Sequence, residues 1–71
     1  MARTKRRLIG HLSGRVGETP TTLSVYKDGR FYRLTSSTKD YLCHPSVDGI
    51  SKLSGEAFMV FHLDDAEYTP I

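Results

Sequence analysis

The stretch Thr21 to Leu34, Thr-Thr-Leu-Ser-Val-Tyr-Lys-Asp-Gly-Arg-Phe-Tyr-Arg-Leu, constrains the fold more than any other part of the chain. Asp28-Gly29 supplies the two positive-φ positions of a type I′ turn, whose twist matches that of flanking strands, and the residues on either side are strand formers. The pattern predicts a β-hairpin. With the turn at Asp28-Gly29, Lys27 faces Arg30, Tyr26 faces Phe31, Val25 faces Tyr32, Ser24 faces Arg33 and Leu23 faces Leu34. Alternation then puts Leu23, Val25, Tyr32 and Leu34 on one face. The other displays Tyr26 and Phe31 beside Ser24 and Arg33, aromatic rings next to positive charge.

Upstream, Leu8, Leu12 and Val16 alternate with Ile9, His11, Ser13 and Arg15, which predicts a first strand interrupted by Gly10, Gly14 and Gly17. Glycine inside a strand marks a bulge or a bend where a small barrel curls, and Pro20 closes the element. Downstream, Ser37 and Asp40 have the spacing of a capping box and predict a short helical turn. Val47, Ile50 and Leu53 form one apolar stripe of a short helix. Ala57 to Leu63 reads as a central strand with both faces apolar, and Glu67 to Ile71 as an edge strand that Pro70 suits. The whole is all-β or mainly β: a small five-stranded barrel or sandwich with a short helical turn between the third and fourth strands. Its layout resembles OB- and SH3-like barrels, a likeness of plan alone. Residues 1–7 read as a flexible basic arm and residues 8–71 as a single small β domain.

A chain of 71 residues buries only about 60% of the surface its unfolded form exposes, which leaves a small core and little room for an enzyme cleft. The longest apolar run, Ala57 to Phe61, is far short of the roughly 20 residues that cross a bilayer, so no membrane partner is expected. The N-terminus has the charges of a signal peptide without the apolar stretch that should follow, since Leu8-Ile9 gives way to Gly10 and His11. A cytoplasmic protein is expected, and Cys43, the only cysteine, fits a reducing compartment. His11, His44, His62 and Cys43 show no spacing that puts two ligands on one metal, and Cys43-His44, as neighbours, cannot pair as nucleophile and base. Glu56, Asp64, Asp65 and Glu67 match no cation loop, and the glycines at 10, 14 and 17 lack the Lys that a P-loop requires. The chain is therefore read as non-enzymatic, with no cofactor and no metal.

Charge gives the functional expectation. Residues 1–33 hold eight Lys and Arg against two carboxylates, whereas residues 34–71 hold two against six. Such asymmetry points to a basic surface for an anionic partner. The candidate contact residues are Arg3, Lys5, Arg6 and Arg7 on the arm, with Arg15, Tyr26, Lys27, Arg30, Phe31 and Arg33. Lys27 and Arg30, opposed across the last pair before the turn, repel each other unless an anion lies between them. Tyr26 and Phe31 offer stacking for exposed bases while the arm neutralises phosphates. The expected function is a nucleic-acid-binding module for single-stranded or duplex partners. The alternative is a small, virus-encoded or cellular regulator or inhibitor that grips an acidic protein surface through the hairpin face or a strand edge, an edge that could equally support a dimer.

Overall fold

The computed structural model describes residues 6–71. Five strands, β1 (Arg6–Val16), β2 (Thr19–Asp28), β3 (Phe31–Thr35), β4 (Asp40–Leu42) and β5 (Asp64–Pro70), form one antiparallel sheet in the order β4-β3-β2-β1-β5. The protein is mainly β, as expected, but the sheet is open: β4 and β5 are its two edges, and no barrel closes. The one α-helix, α1 (Leu53–Phe61), follows a 3-10 turn (Ile50–Lys52) and lies between β4 and β5 rather than between the third and fourth strands. Arg6 and Arg7, read as arm, are the first residues of β1 and pair with Asp28 and Lys27.

Both long hairpins turn on a Gly-X pair. In β2–β3 the closing pair is Asp28 and Phe31, so the loop is Gly29-Arg30, with Gly29 at φ 63. Glycine at the first central position followed by a residue at negative φ is type II′ chemistry, not the I′ turn that Asp28-Gly29 implied. The register slides accordingly: Val25 pairs with Leu34, Tyr26 with Arg33 and Lys27 with Tyr32. Each partner moves by two positions, so every side chain keeps its expected face. The β1–β2 hairpin, not anticipated, repeats the device, with Val16 opposite Thr19 and Gly17 at φ 65. Pro20 does not end a strand. It pairs with Arg15 inside β2, where its missing N–H would point away from β1. β3 stops opposite Ser24, so no ladder bond is lost there.

One face of the sheet is covered. Leu12, Leu23, Val25 and Leu34 point into a core completed by Cys43 and Val47 of the β4–α1 connection, Leu53 and Ala57 of the helix, and Leu63 behind it; all nine are buried. Each fully buried Leu or Val stabilises by about 1.5–3 kcal/mol relative to exposure. In α1, Leu53 and Ala57 lie one turn apart on the buried side. Its end is an αL stop: His62 is in the left-handed conformation at φ 60 and its N–H donates to the Phe58 carbonyl, while the Leu63 N–H donates to the Ala57 carbonyl. The segment Ala57 to Leu63 is thus helix and stop, not a central strand. Likewise Ser37 and Asp40 cap no helix: Ser36 Oγ accepts from the N–H groups of Thr38 and Lys39, and Asp40 opens β4.

No described element packs on the other face. A bulge at Ile9 shifts the β1 register between Leu8 and Gly10, so Leu8, paired with Tyr26, lies on this open face while Leu12 lies in the core. The expected grouping of Leu8 with Leu12 therefore fails. The Ile9 carbonyl accepts from the Tyr68 hydroxyl at 2.9 Å and from the Ile71 N–H at 3.2 Å, which docks β5.

Candidate nucleic-acid interface

The open face is built in rows by the strand register. Leu8, Tyr26, Arg33 and Leu42 lie side by side across β1, β2, β3 and β4, with Arg6, Asp28 and Phe31 in the row nearer the β2–β3 turn. Tyr26 and Phe31 share this face and are half-buried, but they sit diagonally rather than opposite each other.

Three of the expected cations are engaged within the protein, two of them on this face. Arg33 donates from Nη1 to Asp40 at 3.1 Å and from Nη2 to Asp28 at 3.2 Å. The bond to Asp40, opposed by burial and reinforced by Asp28, raises its pKa. Arg6 reaches across the face, with its guanidinium 5.5 Å from the Tyr26 ring centre and 3.8 Å from Asp40. The ring expected to stack on bases is therefore capped by an arginine. Arg15 belongs elsewhere. It pairs with Asp65 at 2.9 Å near the β1–β2 turn, about 30 Å along β1 from Arg6 at the usual strand rise. Arg3 and Lys5 lie outside the described residues.

Arg7, Lys27 and Arg30 remain at the β2–β3 end of the sheet. Arg7 and Lys27 are directly opposed across β1 and β2, and Arg30 occupies the adjacent turn. Lys27 and Arg30 do not oppose each other, because the slide in register puts Tyr32 opposite Lys27, whose ammonium rests 4.6 Å from that ring centre. Among the described residues none of the three forms an ion pair with a carboxylate. The five cations of this end, counting Arg6 and Arg33, face two carboxylates, Asp28 and Asp40. The sequence asymmetry thus becomes a spatial pole, with Glu18, Asp64 and Asp65 towards the other end of β1.

Among the described residues no comparable chemistry gathers elsewhere. An open cleft of about 380 Å³ between β2, the β3–β4 turn and the helix end is lined by Val16, Leu23, Phe61 and five Thr and Ser hydroxyls. None of its lining residues is a base or an acid that could activate a hydroxyl. Among the described residues no group of three or more His, Cys, Asp or Glu is placed to hold a metal ion, and no helix is long and apolar enough to cross a membrane. Phe58 and Met59, 55% and 75% exposed on α1, form an apolar patch that the strand reading of this segment missed. Two apolar residues turned outward carry no periodic signal, so only the structure reveals them.

Cys43 is core, 1% exposed, and burial followed by the charge of Glu56 pushes its thiol up to about 11. It is therefore a poor nucleophile at neutral pH. A folded pKa above the unfolded value gives stabilisation that is complete below about pH 9 and lost as pH rises towards 11. Between those limits the wild-type chain loses on the order of 2–3 kcal/mol through this group. Urea midpoints measured at pH 8, 9.5 and 11 should fall more steeply for the wild type than for Cys43→Ala. Parallel slopes would show that the thiol ionises as freely folded as unfolded.

Compared with protein-family models, curated proteins and solved structures, the chain matches none of them.

Proposed function

We propose that this chain is a non-enzymatic nucleic-acid-binding module, working inside the cell, that takes the phosphate backbone on the β2–β3 end of its sheet. The observation that carries this reading is the Arg7–Lys27 pair. Like charges directly opposed on neighbouring strands destabilise the sheet, and Arg30 adds a third cation, while the nearby Asp28 is paired with Arg33 instead. A phosphate between them removes the repulsion, and Arg3 and Lys5 add positive charge immediately upstream in the sequence.

Anisotropy titration of a labelled oligonucleotide against salt is the direct measurement. Three phosphates neutralised give a log–log slope of about −2.1 to −2.7, a loss of roughly 20- to 40-fold in affinity between 0.05 and 0.2 M salt. Lys27→Glu with Arg30→Glu should remove about two contacts from that slope. Absence of binding at the lower salt, or an unchanged slope in the double variant, overturns the reading.

The protein-binding alternative has one observation in its favour, the exposed Phe58 and Met59, since binding energy in protein interfaces concentrates on such anchors. It moves the contact from the hairpin face to the helix. The strand edges suit it less well: β4 has three residues, and β5 carries Pro70 and a register shift next to Asp65, which is at φ 55. A partner held by the helix would be lost on Phe58→Ala with Met59→Ala, a change that leaves the oligonucleotide titration as it was.

A further inference from the structure

We infer that the open face is a subsite for one nucleotide of an unpaired strand, and that in the free protein Asp40 stands where the phosphate of that nucleotide binds. The inference rests on the nucleic-acid reading and adds to its cationic rim a second contact that selects single strands.

The two carboxylates on Arg33 are not equivalent. Asp28 precedes the tight Gly29-Arg30 turn, and its side chain is 21% exposed. Asp40 belongs to the three-residue edge strand β4, is 46% exposed, and is shared at 3.8 Å with Arg6. Asp40 is thus the carboxylate that solvent, and a competing anion, reaches more readily. A phosphate has its charge and acceptor geometry, with more oxygens to offer two guanidinium groups. Taking Nη1 of Arg33 together with Arg6, it draws Arg6 off the Tyr26 ring and leaves that ring free to receive a base. Leu8, 37% exposed, flanks the ring on one side, and Leu42, 45% exposed, ends the row beyond Arg33. A base inside a duplex keeps its own stacking partners and cannot enter, so the subsite discriminates by strandedness rather than by base identity.

Asp40 therefore competes with the ligand. Asp40→Asn keeps the shape and the acceptor oxygen facing Arg33 and removes the competing charge. With labelled oligothymidylate as probe, this variant should bind about five- to tenfold more tightly than the wild type and steepen the salt slope by about 0.7, one further phosphate on a single strand. A duplex of equal length should bind the variant and the wild type alike. Tyr26→Ala should weaken oligothymidylate about tenfold and spare the duplex. Equal or weaker oligothymidylate binding by a folded Asp40→Asn chain overturns the inference, as does equal tightening on duplex.

If Asp40→Asn fails to fold, side-chain nuclear magnetic resonance of the wild type decides. On adding a short thymidylate strand, the guanidinium signals of Arg6 and Arg33 and the Tyr26 ring signals should move together. Movement confined to Lys27 and Arg30 rejects the subsite. The two readings fail separately: wild-type affinity in Lys27→Glu with Arg30→Glu condemns the rim, and wild-type affinity in Asp40→Asn condemns the face.

Discussion

Leu53→Ala should cost about 2–5 kcal/mol, the range for truncating a buried leucine. Domains hold roughly 0.05–0.15 kcal/mol of stability per residue, so a chain of 71 residues has about 4–11 kcal/mol in all. The variant then loses at least about a fifth of that stability and, towards the lower end of the range, all of it. The site isolates packing from backbone preference: Leu53 is fully buried and opens α1, and alanine is the best helix former, so the substitution gains slightly in propensity and loses only contacts and apolar burial. Because among the described residues the helix is the only long element on the covered face, the cavity falls between it and the sheet. Little else can collapse into the space. Urea unfolding followed by circular dichroism should show the midpoint drop with the slope retained. Phe58→Ala, 55% exposed on the same helix, should stay within about half a kcal/mol of the wild type. Equal losses at the two positions would mean that α1 does not present Leu53 to the sheet.

The parts of this fold legible from sequence are those fixed by local rules. Strand alternation sorted Leu23, Val25, Tyr32 and Leu34 from Tyr26, Phe31 and Arg33, and that sorting survives a turn displaced by one residue, because the partner slide of two preserves parity. Gly17-Glu18 carried the same Gly-X signal as Gly29-Arg30, yet glycines at 10 and 14 in the same strand obscured it. The helix was hidden for two reasons. Phe58 and Met59 face outward, which erases the apolar stripe, and the helix stops at His62, a residue that enters the left-handed region less readily than glycine. At the candidate site, the placing of rings and cations on one face follows from alternation. The neutralisation of Arg6 and Arg33 does not, because Asp40 reaches them only through β4, a strand of three residues whose position depends on tertiary register. Charge totals count side chains; they say nothing about which of them are already satisfied.

The glycines of β1 make the last expectation sharper than any propensity rule. A Cβ at Gly14 would collide with the Asp64 backbone carbonyl and lie 3.0 Å from Leu63 Cγ. A backbone oxygen cannot swing aside as a side-chain tip can, and Leu63 is anchored in the core at 1% exposure. Gly14→Ala therefore forces β5 away from β1 at the point where the chain leaves the helix. Overpacking of this kind costs typically 1–3 kcal/mol, occasionally more. The strain should also be localised: amides that pair β1 with β5 exchange faster with solvent water, while those pairing β2 with β3 keep their protection. Gly55→Ala is the matched control, with the same atom added in the first turn of α1, where nothing lies within 4 Å. There alanine restricts the unfolded chain and favours the helix, and stability should rise by about 0.5 kcal/mol. One methyl group thus changes sign between two glycines because β1 uses Gly14 to let a neighbouring backbone pass, whereas α1 uses Gly55 for nothing within the protein. If Gly14→Ala leaves both stability and β5 protection intact, the β1–β5 contact is looser than the register describes, and the acidic edge strand is free to move independently of the sheet that carries the cations.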